Sequence, residues 1–404
     1  MDIFDKCRTY TRSNDMKERG LYPYFTPLSA SDGTEVEVGG RKLIMMGSNN
    51  YLGLANHPRM KQATKDAVER WGTGCAGSRF LNGTLDLHIE TEKKLAKFKH
   101  REAALIFATG YQMNLGVISA LVNRHDTVIV DKWDHASIMD GARLAWGETV
   151  RYRHNDMTHL EEILQSVPDK RGKLIVVDGV FSMEGNICNL PEIVRLAKQY
   201  GARVILDDAH STGVLGANGR GTSEHYNLAV EDVDLIVGTC SKSFGSVGGF
   251  VTGAADILHY IQIHARSMMF SAALPPASVA AISTALDMML EEPQRREQLW
   301  KNAERLKTGF QAAGFDTGIT ETPIVPVMVG DDLKAFQFWR LIFDAGVFAN
   351  PVVSPAVAPG RALMRNTLMA THTDEQIDRV LNIFEDCARK VGILPRASGV
   401  SIAA

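Results

Sequence analysis

Short apolar runs and amphipathic stretches alternate along residues 100–255. AALIFATG, TVIVD, KLIVVDG, ARVILDD and DLIVGT are each short, rich in β-branched residues and closed by glycine or charge, which predicts buried strands. Between two of them, LPEIVRLAKQYG carries apolar residues at 190, 193, 194 and 197, a helical spacing. Pro191 near its start and Gly201 just past its end are where a helix prefers them. Strand alternating with helix predicts an α/β domain with a mostly parallel sheet covered on both faces.

The pattern changes on either side of this core. Residues 1–45 read as an N-terminal arm ending in a hairpin around EVEVGGRKLIMM, and 46–285 as the large domain. Residues 286–395 hold long helical patterns (EEPQRREQLWKNAERLKTGFQAAG, DEQIDRVLNIFEDCARKVG) around short strands such as PIVPVMV, a smaller C-terminal α+β domain. The tail, 396–404, is expected to be disordered. Phe270 to Leu290 carries one charge, Asp287, but Pro275-Pro276 interrupts it and small residues fill it. A spanning helix needs about 20 predominantly apolar residues, so this stretch predicts a loop and then a buried helix.

Composition narrows the function. The chain has 404 residues, 45% of them hydrophobic, enough for a sizeable core in more than one domain. Its 44 Lys and Arg nearly balance 47 Asp and Glu, with no basic run for nucleic acid and no basic amphipathic helix. Five scattered cysteines form no CxxC pair, so neither a disulfide framework nor a cysteine zinc site is expected. The charged N-terminus, MDIFDKCRTYTR, is not a signal peptide, and a reducing cytoplasm is the expected compartment.

In open parallel sheets, ligands bind beyond the carboxyl ends of the strands. AALIF is followed by Thr109, Gly110 and Tyr111; KLIVVD ends at Asp178 and runs on to Ser182; RVIL ends in Asp207-Asp208-Ala209-His210; DLIVG ends in Thr239-Cys240-Ser241-Lys242. A glycine-containing turn that opens a helix suits a phosphate. A carboxylate such as Asp207 beside a pyridine nitrogen keeps that nitrogen protonated. A lysine made neutral by its surroundings can form a Schiff base with an aldehyde, and Lys242 is placed for it. Singly, each group has a plain reading as a cap, a turn or a solvated charge. Their order on successive strand ends points to pyridoxal phosphate (PLP).

Rival chemistries lack their motifs. No GxxxxGK[ST] exists, and GANGRG (216–221) has the wrong spacing for a dinucleotide fingerprint. Thr239-x-x-Lys242 with Lys307-Thr308-Gly309 is close to a penicillin-binding signature, but it begins with Thr and its KTG falls in a helical pattern. No HExxH supports a zinc hydrolase, and no metal is expected.

DDAHSTGVLGANGRG, GTCSKSFGSVGG and DHASIMDG together resemble the α-oxoamine synthases, and the resemblance runs from GLYPYF to ATHTDEQID. It implies PLP-dependent transferase fold type I (aspartate aminotransferase-like), a homodimer, and decarboxylative condensation of a small amino acid with an acyl-CoA. GSNNYLGL, GTGCAGSRFLNGTLDLH, ARSMMFSAALPPASVA and FANPVVSPAV are most similar to bacterial members that join L-serine to a palmitoyl chain. Sister branches make 8-amino-7-oxononanoate or 2-amino-3-oxobutyrate. By the same resemblance, Lys242 holds the cofactor and moves the Cα proton, Asp207 pairs with the pyridine nitrogen and His210 with the ring hydroxyl. Thr109, Gly110 and Tyr111 belong to the phosphate site, and Thr239 and Ser182 contact the cofactor. His135 stacks on the ring and touches the substrate carboxylate, which Arg365 also holds. Asn50 and Ser271 reach the site near the subunit boundary, Ser271 toward the neighbouring chain's phosphate. Lipid synthesis further implies peripheral contact with the inner membrane.

Overall fold

All five apolar runs between residues 100 and 255 are strands of one sheet in the computed structural model, which describes residues 2–395. The expected disordered tail, 396–404, lies outside the described residues. The sheet comprises β1 (Ala103–Phe107), β2 (Asp126–Asp131), β3 (Glu148–Tyr152), β4 (Gly172–Asp178), β5 (Arg203–Asp207), β6 (Leu235–Thr239) and β7 (Gly249–Gly253). Their order is β1-β7-β6-β5-β4-β2-β3. β7 is antiparallel to β1 and β6, and the remaining pairings are parallel.

Side chains alternate across the sheet, so successive residues feed opposite cores. In β2, Val128 and Val130 pack with Phe107, Val117 and Val237, while Ile129 packs on the other face with Leu160, Ile175 and Leu206. Each fully buried aliphatic side chain contributes about 1.5–3 kcal/mol. Burial on both faces is why these strands read as continuous apolar runs. The predicted helix is present as Leu190–Tyr200, and Gly201 ends it in the left-handed conformation, φ 66°. The uncharged stretch near residue 280 is a loop leading into the helix Pro276–Glu291, which buries Val279, Ile282, Leu286 and Met289.

Two strands were not anticipated. β3 lies at the sheet edge and exposes Glu148, Thr149 and Arg151, so it lacks an apolar run. β7, GFVTG, begins and ends in glycine because other groups press on it. A Cβ on Gly249 would lie 2.6 Å from the Cα of Gly110, and one on Gly253 would lie 2.4 Å from Leu235.

The chain forms two units, one from Asn49 to Leu299 and the other from the N-terminus to Ser48 plus Trp300 onward. The expected arm thus shares a unit with the expected small domain from residue 300 on, while residues 286–299 fall in the unit of the large domain. In that second unit, Glu35–Val38 and Arg41–Met45 form the predicted hairpin. Gly39 and Gly40 turn it with φ 57° and 75°, the two positive values a type I′ turn requires. Val347–Phe348 extends this sheet in parallel beside Ile44 and Met45. A separate antiparallel sheet holds Ile324–Gly330, Ala362–Thr367 and Asn350–Val352. The long C-terminal helix Asp374–Val391 is capped by Thr373 and closed by Gly392, φ 68°. Among the described residues, no helix is long and apolar enough to cross a membrane.

Candidate active site

The carboxyl ends of β1, β4, β5 and β6 surround a cavity of about 330 Å³. Helix α1 (Gly110–Leu121) follows β1 through Thr109, an extended N-cap whose Oγ1 accepts the Gln112 amide at 3.1 Å. The first amides of a helix lack intrahelical acceptors and favour an anion. Gly110 is obligatory there, because a Cβ would stand 2.8 Å from the Cβ of Thr239. Thr239, at the end of β6, bonds Ser241 Oγ at 2.9 Å and donates to the Gly248 carbonyl at 3.1 Å. Thr109, Gly110, Tyr111, Thr239 and Lys242 all line the cavity.

β4 and β5 place Asp178 and Asp207 directly opposite one another. Asp207 is buried; the Ala209 amide donates to its Oδ1 at 3.0 Å and the Asn114 side-chain amide to its Oδ2 at 2.8 Å. His210 Nδ1 lies 2.7 Å from the Tyr51 hydroxyl. His135 caps helix α2 (Ala136–Leu144), and its backbone N–H donates to Asp178 Oδ2 at 2.7 Å. Burial pushes the Asp178 carboxyl well above the usual carboxylate range, and the negative charge of Asp207 pushes the same way. Burial also holds the His135 imidazole below its ordinary 6.5; Asp207 opposes that fall and Lys242 adds to it. Ser182, His135, Asp207 and His210 line the same cavity.

Three expected residues are not among the lining residues. Ser271 accepts a hydrogen bond from the Gln112 side chain at 3.1 Å, beside the first turn of α1. Asn50 Oδ1 accepts the Ala55 amide at 3.3 Å. Arg365 belongs to the other unit, buried on Ala362–Thr367, with Nη1 3.3 Å from Thr367 Oγ1. Asn114, Ser137 and Tyr51 were missed by sequence reasoning. Asn114 follows the glycine of the helix-opening turn by four residues, the one polar-amide position on a buried helical face, and that spacing was the available signal.

These groups fit PLP: an anion cradle at a helix start, a buried carboxylate for the pyridine nitrogen, an imidazole beside it and an amine for the aldehyde. Comparison with known proteins agrees. Residues 41–384 match the aminotransferase class I and II family. The chain is 50% identical to serine palmitoyltransferase of Sphingobacterium spiritivorum, over 91% of this chain and 92% of that one. It is 44% identical to 8-amino-7-oxononanoate synthase of Thermoanaerobacter pseudethanolicus, over 94% and 96%. Among solved structures, serine palmitoyltransferase of Sphingomonas wittichii matches with a TM-score of 0.94 at 38% identity, covering 98% of this chain and 100% of that one. A variant serine palmitoyltransferase from S. paucimobilis with a bound PLP–myriocin aldimine matches equally, 0.94 at 37% identity over 98% and 100%.

Proposed function

We propose that this chain, which belongs to the class I and II aminotransferase family and to its α-oxoamine synthase branch, condenses L-serine with palmitoyl-CoA, releasing CoA and carbon dioxide and leaving 3-ketodihydrosphingosine. Its cofactor is PLP. The observation that carries the reading is the convergence of Lys242, Asp207, His210 and the opening of α1 on one cavity. The share of sequence held in common with serine palmitoyltransferases supports serine over the amino acids of the sister synthases.

When bound, PLP supplies an aldehyde and a cationic ring that draws electron density from the amino acid Cα. In this reading the α1 amides and Thr239 hold the phosphate, with Ser182 against the cofactor. Asp207, held by two donors, would pair with the pyridine nitrogen and favour its protonated form. His210, steadied by Tyr51, bonds the ring hydroxyl. Lys242 would hold the aldehyde, and its free amine would accept the Cα proton on Nζ. His135 would bond the serine carboxylate, and the resemblance gives Arg365 the same partner; a guanidinium suits that task because it binds carboxylates in two places. The Cα electron pair would attack the thioester carbonyl, and the CoA thiolate would leave and take a proton from solvent; departure of the serine carboxylate as carbon dioxide would return an electron pair to Cα, to which Lys242 Nζ would give back the proton. Asn50 and Ser271 complete the site at the boundary of a homodimer, Ser271 toward the neighbour's phosphate. We place the enzyme in the cytoplasm in peripheral contact with the inner membrane, since each CH₂ removed from water is worth about 0.8 kcal/mol.

The test is release of CoA thiol by the PLP-loaded protein, with L-serine, glycine, L-alanine and L-threonine each paired with palmitoyl-, pimeloyl- and acetyl-CoA. The reading expects saturable turnover with L-serine and palmitoyl-CoA above every other pair. Preference for L-alanine with pimeloyl-CoA, or glycine with acetyl-CoA, would move the enzyme to a sister activity.

A further inference from the structure

A continuous chain of hydrogen bonds links Asp207 to His135. The Asn114 side-chain nitrogen donates to Asp207 Oδ2 at 2.8 Å and to Ser137 Oγ at 2.9 Å, and Ser137 Oγ lies 2.7 Å from His135 Nδ1. Asn114 and Ser137 are both buried to within 2% of full enclosure. The direction of each bond follows from the two ends of the chain. A carboxylate anion accepts only, so the group facing Asp207 is the NH₂ of Asn114; the reversed amide would set two acceptors against each other. The second hydrogen of that NH₂ goes to Ser137 Oγ. Ser137 Oγ keeps a second lone pair, so the Ser137 backbone N–H decides the next bond: it donates to His135 Nδ1 at 3.2 Å, which makes Nδ1 an acceptor and leaves the hydroxyl to spend its own hydrogen there. With Nδ1 an acceptor twice over, the imidazole proton sits on Nε2.

We propose that Asn114 and Ser137 are positioning residues that fix His135 as a neutral ring with its proton on Nε2, a hydrogen-bond donor for the amino acid carboxylate. This rests on the PLP-dependent reading above. It makes physical sense of the ring's neutrality: an imidazolium stacked on a cationic pyridine ring would be repelled, whereas a neutral ring is not. The polarity of Asp207 thus serves two groups at once, the cofactor nitrogen directly and His135 through two intervening side chains. Charged groups facing His135 are Asp207, Lys242 and Asp140, with Asp178 on its backbone N–H. Protonation at Nδ1 would set two donors, that N–H and the Ser137 backbone N–H, against each other and turn the Ser137 hydroxyl hydrogen away from the ring.

The experiment is histidine-selective ¹⁵N NMR on the PLP-loaded protein, with the His135 signal identified by its loss in His135→Gln. The wild type should show an unprotonated Nδ1 and a protonated Nε2 from pH 6 to 8. Ser137→Ala removes the donor, and Asn114→Ala removes only the group two bonds away; both should release the second tautomer. Amino acid binding, read by the cofactor absorbance, should weaken about three- to ten-fold, the worth of one neutral hydrogen bond. A merely structural role for Asn114 would leave the His135 tautomer unmoved and would overturn the proposal, as would a proton on Nδ1 in the wild type. If the tautomer behaves as expected but L-serine leaves the cofactor unaltered, the substrate reading fails and the relay stands.

Discussion

Asp208→Asn should destabilise the protein far more than a one-atom change suggests, because it strands a buried ammonium. Lys99 and Asp208 have fully enclosed side chains, with Nζ 2.9 Å from Oδ2. Nζ also donates to Thr212 Oγ1 at 2.8 Å and to the Arg220 carbonyl at 2.6 Å, while Asp208 Oδ1 accepts from the Thr222 amide and hydroxyl. Burial already lowers the Lys99 pKa despite the attraction of Asp208. Removing one partner of such a pair costs about 3–5 kcal/mol, whereas replacing both by neutral groups of similar volume is close to neutral. The unit from Asn49 to Leu299 holds about 250 residues. At about 2.1 cal/mol/K of unfolding entropy per residue, each kcal/mol moves its melting midpoint about 2 °C, so the loss is about 6–10 °C. The assay is circular dichroism melting of the PLP-loaded wild type, Asp208→Asn, Lys99→Met and the double variant. The double variant should recover most of the loss. A fall under about 2 °C in Asp208→Asn, or a double variant less stable than it, would refute the reasoning.

Gly110→Ala should close the anion cradle, since the new Cβ meets Thr239 at 2.8 Å; overpacking of about 1–3 kcal/mol predicts a PLP dissociation constant raised roughly 5- to 150-fold by absorbance titration, and an unchanged value would contradict it. His372 should make stability fall on acidification. Burial lowers its pKa to about 4, and its Nδ1 accepts the Met369 amide at 2.9 Å, leaving no place for a second proton. The unfolded chain, with the ordinary 6.5, binds the proton first. Between these values stability therefore drops as pH falls, by roughly 3 kcal/mol in total. His372→Gln should flatten that slope in urea titrations; an equal slope would contradict the assignment.

How much was legible followed from burial. Strands enclosed on both faces, such as Ile175–Val177 and Val204–Leu206, left unbroken apolar runs that nothing else explains. Edge strand β3 and glycine-bounded β7 left none, since one meets solvent and the other is shaped by close neighbours. Lys242, Asp207, His210 and His135 were legible as candidates because each ends a strand, sits just past one or opens a helix, where ligands collect in such sheets. Asn114 and Ser137 were not, because their roles come from two helices brought side by side, and sequence spacing carries no such distance. Tyr51 lies 159 residues from the His210 it touches, so the same holds for it.

The account stands most directly on where the cofactor bonds. Reduction of the PLP-loaded protein with borohydride, followed by peptide mass mapping, fixes that bond irreversibly and locates it. A single phosphopyridoxyl adduct is expected on Lys242, absent from Lys242→Ala. A stoichiometric adduct on another lysine, or none after PLP is supplied in excess, would contradict it.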